Sequence, residues 1–436
     1  MNKILNRLEK IFYILGIIYF TEPFIPFASF TTVTIRPYST ADVLPVVDDS
    51  RPLLIMRLCV LGITLLLTCF RFERITYLVL KRKFFLALIA LYPLSFLWSA
   101  IPNVTLQKGV VLLGSVLFGL NLAARYTLRE QLFILAWAMG LLATSNFLFT
   151  LAVPSAGIES GEHAGAWRGM FFQKNPLARM MVLSAITLLL AALESRKYRN
   201  ILWFGLGFSF LLILLSTSKS SLLVFLTLLV LIPLFRSLRW SNGLVLPLFI
   251  ILLIVSSGVA IYFVGNLETI VDLLGKDITL TGRTDIWGVV IQKIMKHPWF
   301  GYGYMGFWLG MEGDSADVWY ETRGFLAPNA HNGFLDIGLQ FGFIGLFLFL
   351  LTYSKNCLRA VNWLRLKPTS EGLLPVVYLT YILLFNITES TIDNPPIIWV
   401  LYSSITTSIL TEPILVKDSR FPSINTIEEL RRCPND

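Results

Sequence analysis

The sequence predicts an all-α polytopic membrane protein of about twelve transmembrane helices, and three observations predict it. Of its 436 residues, 55% are hydrophobic and only 14% are charged, against ~25% charged in ordinary soluble domains. Mean hydropathy is +0.69, and the apolar residues lie in long runs without alternation, which excludes a β-barrel. The Lys and Arg residues divide unevenly between successive links, as they do around membrane helices. Such a chain has too little polar surface to stay in water. A soluble enzyme, a nucleic-acid-binding protein and a disordered chain are therefore excluded. The net charge of +9 is a topology signal here, and nucleic acid is not an expected partner.

Taken in order, the apolar segments run over 11–27, 53–70, 84–99, 109–124, 132–153, 176–194, 200–215, 221–235, 243–264, 333–354, 372–388 and 395–411. The first follows a basic start (Lys3, Arg7, Lys10) and lacks a small-x-small cleavage site, so it reads as an uncleaved first span. With the N-terminus inside, the inner links hold 23 Lys and Arg and the outer links 11, while Arg57 and Arg179 fall inside spans. Positive-inside then puts both termini in the cytoplasm. Cys59 and Cys69 share one apolar run, and Cys357 and Cys433 sit in basic segments. No outer link holds a cysteine, so no structural disulfide is expected.

The chain divides into N-terminal helices (1–153), a first outer loop with central helices (154–264), a large outer loop (265–332), C-terminal helices (333–411) and a polar tail (412–436). Long loops between short ones usually carry function. Inside the large loop, Ile286, Trp287, Val290, Ile291 and Ile294 recur at helical spacing, and Pro298 stops the pattern before the turn Gly301-Tyr302-Gly303-Tyr304. This predicts an amphipathic helix lying on the membrane, with Trp287 and Trp299 as interfacial anchors. Ala327 to Gly333 then leads into span ten and places His331 at its outer mouth, with Asn332 beside it. Asp336, one turn inside, is placed to orient that histidine or to pair with an arginine.

Four outward-facing elements present a cation: Arg168 with Arg179, Lys219, Arg283 and His331. Cations near a membrane snorkel or meet an anion, and no equal set of outer acids is placed to meet these. A bound anion satisfies them, and a lipid-linked pyrophosphate is one candidate, since Arg grips phosphate oxygens in a bidentate way. Three scattered histidines make no zinc spacing. Neither an Asp-x-Asp pair nor a phosphate-binding Gly-rich loop occurs. A metal, a bound cofactor and a nucleotide donor are therefore not expected.

These residues resemble the O-antigen ligase and O-antigen polymerase superfamily of bacterial inner-membrane proteins. The resemblance rests on Gly282-Arg283-x-x-x-Trp287, Pro298-x-x-Gly301-x-Gly303, His331-Asn332-x-x-Leu335 and Gly338-x-x-x-Gly342-x-x-Gly345. Trp167-Arg168-Gly169-x-Phe171 with Lys174-Asn175 is similar to the exopolysaccharide-production members. Ser218-Lys219-Ser220 stands where many relatives have Ser-Arg-Ser, so Lys replaces the planar guanidinium there. The resemblance implies a GT-C-like glycosyltransferase, metal-independent and inverting, with its site facing the periplasm. Its donor would be an undecaprenyl-pyrophosphate-linked glycan, and its acceptor either another glycan or lipid A–core. By this analogy His331 is the general base or the acceptor-positioning residue, Arg283, Arg168, Lys219 and Arg179 hold the pyrophosphate, and Asn332, Asp336 and Trp287 support them. Membrane lipids, a flippase and a chain-length regulator are the implied partners.

Two other readings compete with this one. A solute or anion transporter fits the span count, but few ionisable residues lie at mid-membrane depth, where coupling sites are found. A non-catalytic scaffold of polysaccharide export would tolerate loss of Arg283. Between ligase and polymerase, the Trp167–Asn175 stretch tilts the reading towards exopolysaccharide polymerisation.

Overall fold

The structure, a computed structural model, describes residues 2–23, 51–238, 283–322, 328–392 and 395–415. The protein is an all-α polytopic membrane protein. Its helices are α1 (Asn2–Phe20), α2 (Arg51–Phe70), α3 (Phe72–Leu80), α4 (Lys83–Leu94), α5 (Pro102–Arg125), α6 (Leu128–Ala152), α7 (Lys174–Glu194), α8 (Arg199–Leu215), α9 (Lys219–Ser237), α10 (Arg283–Lys296), α11 (Gly333–Leu366), α12 (Leu374–Thr388) and α13 (Ile397–Leu415), with short turns between them. Among the described residues seven helices are long and apolar enough to cross a membrane, and Lys83–Leu97, Arg199–Leu215 and Ile397–Leu410 are shorter apolar helices. Eleven of the twelve expected segments overlap a described helix, and the ninth, 243–264, lies outside the described residues.

Helix α1 begins earlier than its apolar run, because Lys3, Arg7 and Lys10 are good helix formers. It ends where Glu22 takes a left-handed φ of 59° before Pro23. Helix α7 is enclosed on nearly all sides, Ser184 and Thr187 included, whereas α2 buries only Leu53 and Thr64. The first is therefore the centre of the bundle and the second a lipid-facing edge. Helices α5 and α13 meet through small residues: Gly119 leaves no room for a Cβ against Ser403 and the Val400 carbonyl. Gln131 on α6 bonds Ser404 and Ser408 of α13 at 2.7 and 2.8 Å. Small and hydroxyl side chains allow this close approach where lipid offers no hydrophobic drive.

At one end of the bundle Glu9 pairs with Arg71 and Arg125, and Arg129 pairs with Glu194. The other end carries the two loops of interest. There, α11 is broken. Gly342 has φ 61° and ψ −160°, which is not helical. The two hydrogen bonds a continuous helix would form there, Phe343 to Leu339 and Ile344 to Gln340, are replaced by bonds to the preceding loop. The N–H groups of Tyr302 and Gly303 donate to the Leu339 and Gln340 carbonyls at 2.7 and 2.9 Å, and Phe343 and Ile344 donate to the Pro298 and Trp299 carbonyls at 2.6 and 3.4 Å. The glycines of the Pro298–Gly303 and Gly338–Gly345 stretches serve this insertion. A Cβ on Gly301 would lie 2.3 Å from the Leu339 oxygen, and one on Gly342 would lie 2.4 Å from the Trp299 carbonyl carbon.

The expected amphipathic helix forms as α10. Its apolar face is largely covered by protein, with Ile291 and Met295 left exposed. Ile286, Val289, Val290 and Ile294 are buried against Phe307, Trp308, Val318, Ala330 and Leu339, a small core of the loop itself. The polar face is held as well: Lys293 pairs with Asp314 and Asp317, and Lys296 with Asp314. These hydrogen bonds hold the Asp314 carboxyl down to about 2.

Candidate functional site

His331 sits two residues before α11 in a left-handed conformation, φ 49°. Such a backbone costs a non-glycine residue about 1–3 kcal/mol and persists only where neighbours impose it. The neighbours doing so surround Ala330. Its carbonyl accepts the Trp287 indole N–H at 2.9 Å, and its N–H donates to the Asp336 carboxylate at 3.2 Å. Asn329 Oδ1 accepts the His331 N–H at 2.9 Å. Asn332 caps α11 by accepting the N–H groups of Phe334 and Leu335 at 3.0 and 3.2 Å. The supporting residues named from the sequence thus meet in one place, with Trp287 as a bonded strut rather than a free anchor.

Among the described residues Asp336 makes no hydrogen bond to the imidazole and no ion pair with an arginine. Its buried carboxylate accepts Trp308 Nε1–H at 2.8 Å, the Ala330 N–H and the Ser390 hydroxyl. It ties the peptide before His331 to the turn after α12. That turn supplies the imidazole's partner: His331 Nδ1 lies 3.1 Å from Glu389 Oε2. Both side chains are mostly covered, 22% and 15% exposed. Asn386 builds the turn by accepting the N–H groups of Thr391 and Ile392, and Gly333 leaves no room for a Cβ beside Asn386 Oδ1. Glu389, Ser390, Asn386 and Trp308 were not identified from the sequence. The one available signal is that the short link after α12 carries acids, Glu389 and Asp393, whereas the short links 100–108 and 216–220 hold none.

Arg179 joins the same group. It lies one turn inside α7, and Glu389, Tyr381 and Glu22 are the ionisable groups that act on its charge. Its Nε is covered and has no hydrogen-bond partner among the described residues. Glu389 therefore bonds the imidazole directly and acts on the Arg179 guanidinium through space.

Arg168 and Lys219 lie on two further elements that are bonded to each other. The first loop closes through the Ile158–Trp167 bridge, and Arg168 donates Nε–H to the Ala156 carbonyl at 2.8 Å. The Trp167 N–H donates to the Leu215 carbonyl at 3.0 Å, and the Ser218 hydroxyl donates to Asn175 Oδ1 at 3.0 Å. These bonds bring the Ser216–Ser221 hairpin against the loop, with Lys219 exposed at the start of α9. Arg168, Lys174 and Asn175 line a cavity of about 270 Å³ together with Glu159 and His163. Among the described residues no hydrogen bond or ion pair links Arg168 or Lys219 to His331. The side chain of Arg283 lies outside what is described. Its position on α10 is one turn before Trp287, on the same helix face. No group of three or more His, Cys, Asp or Glu able to hold a metal occurs among the described residues.

Residues 204–350 match a family model described as "Wzy_C: O-Antigen ligase". That span holds Lys219, Arg283, Trp287, His331, Asn332 and Asp336, while Arg168, Arg179 and Glu389 lie outside it. A curated relative, "Exopolysaccharide production protein ExoQ" of Rhizobium meliloti (strain 1021), is 32% identical over 96 residues, 21% of this chain and 22% of that protein. The matched stretch thus spans about a fifth of the relative's length.

Proposed function

We propose, on the premise that this chain carries the O-antigen ligase domain and belongs with the ligase and polymerase superfamily, that it is a GT-C-like glycosyltransferase of surface-polysaccharide assembly. It works at the periplasmic face of the inner membrane, with both termini in the cytoplasm. The donor is a glycan linked to undecaprenyl pyrophosphate, and the acceptor is a glycan hydroxyl. The relative's name and the Trp167–Asn175 stretch favour exopolysaccharide polymerisation over transfer to lipid A–core.

One observation carries this reading: His331 is fixed in a left-handed turn with Nδ1 against Glu389. A proton on Nδ1 shared with Glu389 leaves Nε2 as an acceptor, in the way a carboxylate sets the tautomer of a catalytic imidazole. The acceptor hydroxyl loses its proton to Nε2 as its oxygen bonds the anomeric carbon. The bond from that carbon to the pyrophosphate breaks, inverting the centre, and the electron pair leaves with the lipid pyrophosphate. Arg179, Arg283, Arg168 and Lys219 stabilise the growing anionic charge, which is the largest single contribution in most group transfers. The side chains assigned to this step supply it without a metal.

The test is purified chain in nanodiscs, supplied with polyprenyl-pyrophosphate-linked glycan and chelator. Release of polyprenyl pyrophosphate with glycan extension is expected, and His331→Ala should lower it by roughly 10²–10⁴-fold, the usual worth of a positioned base. Release unaffected by that substitution would overturn the assignment.

A further inference from the structure

A second charged cavity lies at the far end of the bundle from His331. It has a volume of about 390 Å³ and sits between the α3–α4 link and the distal part of α11. Asn356 lies 14 residues along α11 beyond the break at Gly342, roughly 21 Å at 1.5 Å per residue, and His331 lies on the other side of that break. None of the candidate site residues above lines the cavity.

Five cations line it: Lys81, Arg82, Lys83, Lys355 and Arg359. No carboxylate is among its lining residues, and none of the five makes an ion pair with one among the described residues. Arg82 is the built element. It is only 5% exposed, its guanidinium donates to Thr407 and Thr406 hydroxyls at 2.5 and 2.6 Å, and it stacks 4.0 Å from the Phe85 ring. Lys355 lies 4.2 Å over the Phe84 ring, and Arg359 reaches Asn356 Oδ1 at 3.4 Å. Neutral hydroxyls, an amide and aromatic faces orient these cations and leave their charge uncompensated. Five like charges around one cavity repel each other, so an anion there is stabilised by all of them.

The neighbouring surface says which kind of anion. Leu80, Phe84 and Leu358 are 59%, 47% and 68% exposed, and Phe72, Leu86 and Leu366 on the same helices are exposed as well. A free phosphate gains nothing from such a border, whereas acyl chains do. We propose that this cavity binds the phosphate head of an anionic membrane phospholipid, whose chains lie along Leu80, Phe84 and Leu358. Basic pockets between membrane helices take such head groups by charge and by bidentate hydrogen bonding.

The test uses the full-length chain purified in detergent and exposed to mixed micelles of phosphatidylglycerol, of phosphatidylcholine, or to inorganic phosphate alone. Native mass spectrometry should show phosphatidylglycerol retained and phosphatidylcholine lost. The unfolding midpoint should rise with phosphatidylglycerol only. Lys81→Ser, Lys355→Ser and Arg359→Ser combined should cut retention by roughly tenfold or more, and Lys355→Arg should preserve it. The triple variant leaves Arg82 in place, and its unfolding midpoint in phosphatidylcholine reports whether it is folded. Equal retention of the two lipids, or retention untouched in the folded triple variant, would overturn the site. Protection by inorganic phosphate equal to that by lipid would overturn its assignment to a lipid.

Discussion

The two long loops at one end of the bundle are fastened to it on different principles. The first, 154–175, closes by main-chain bonds and by Asn146, whose Oδ1 accepts the Met170 N–H at 2.8 Å. Its Arg168 and Lys174 stay at the rim of an open cavity. The second carries its own apolar core on α10 and inserts its backbone into the break of α11. A loop held mainly through its main chain can change its exposed side chains at small cost to the fold. A loop that completes a membrane helix cannot. The residue proposed for chemistry, His331, sits at the end of the second kind, and the residues proposed for grip sit partly on the first. Rigid placement serves a base, and an open rim serves a bulky substrate.

The sharpest way to break this contrast is at Gly342. Gly342→Val puts a branched side chain at φ 61° and against the Trp299 carbonyl. It should destabilise the protein by about 3 kcal/mol or more, read as a lower unfolding midpoint in detergent. An unchanged midpoint would mean the break is dispensable. Next comes Glu389→Gln, which keeps the fold and removes the carboxylate at His331. Glycan transfer should fall by roughly tenfold to a hundredfold in kcat with a smaller change in KM, and a pure KM effect would assign Glu389 to binding instead. On the first loop, Asn146→Ala leaves a buried N–H unpaired and should cost about 1–2 kcal/mol. Trp287→Phe removes one bond to Ala330 and should cost about 1 kcal/mol in stability, with a larger loss of activity if Ala330 positions His331. The smallest effect is with acid. Asp314 has its pKa lowered from 3.8 to about 2 by its bonds to Lys293 and Lys296. Its contribution to stability is fully present above about 4 and is lost as pH falls towards 2. Asp314→Asn should flatten that part of the pH–stability curve.

What could be read in advance followed from period and charge. The spans were legible because a membrane helix must satisfy its own backbone and show apolar side chains to lipid. His331, Asn332 and Trp287 were legible because they are local to a loop–helix boundary. Glu389 was not, because its pairing with His331 joins positions 58 apart in sequence and no local spacing announces it. The glycines were seen as a pattern without a cause. Gly301 and Gly342 are needed because two backbones occupy the space of one. The burial of α10 was missed for a similar reason: an apolar helix face looks the same whether lipid or Phe307 and Trp308 will cover it.

The broken helix also bears on the order of assembly. When α11 enters the bilayer as a nascent segment, the carbonyls of Leu339 and Gln340 and the amides of Phe343 and Ile344 have no partners in their native geometry except residues 298–303. Polar main-chain groups left bare in hydrocarbon cost several kcal/mol each. The native bend therefore waits for the docking of the segment that precedes it. His331 takes its place only when both halves of that joint have met.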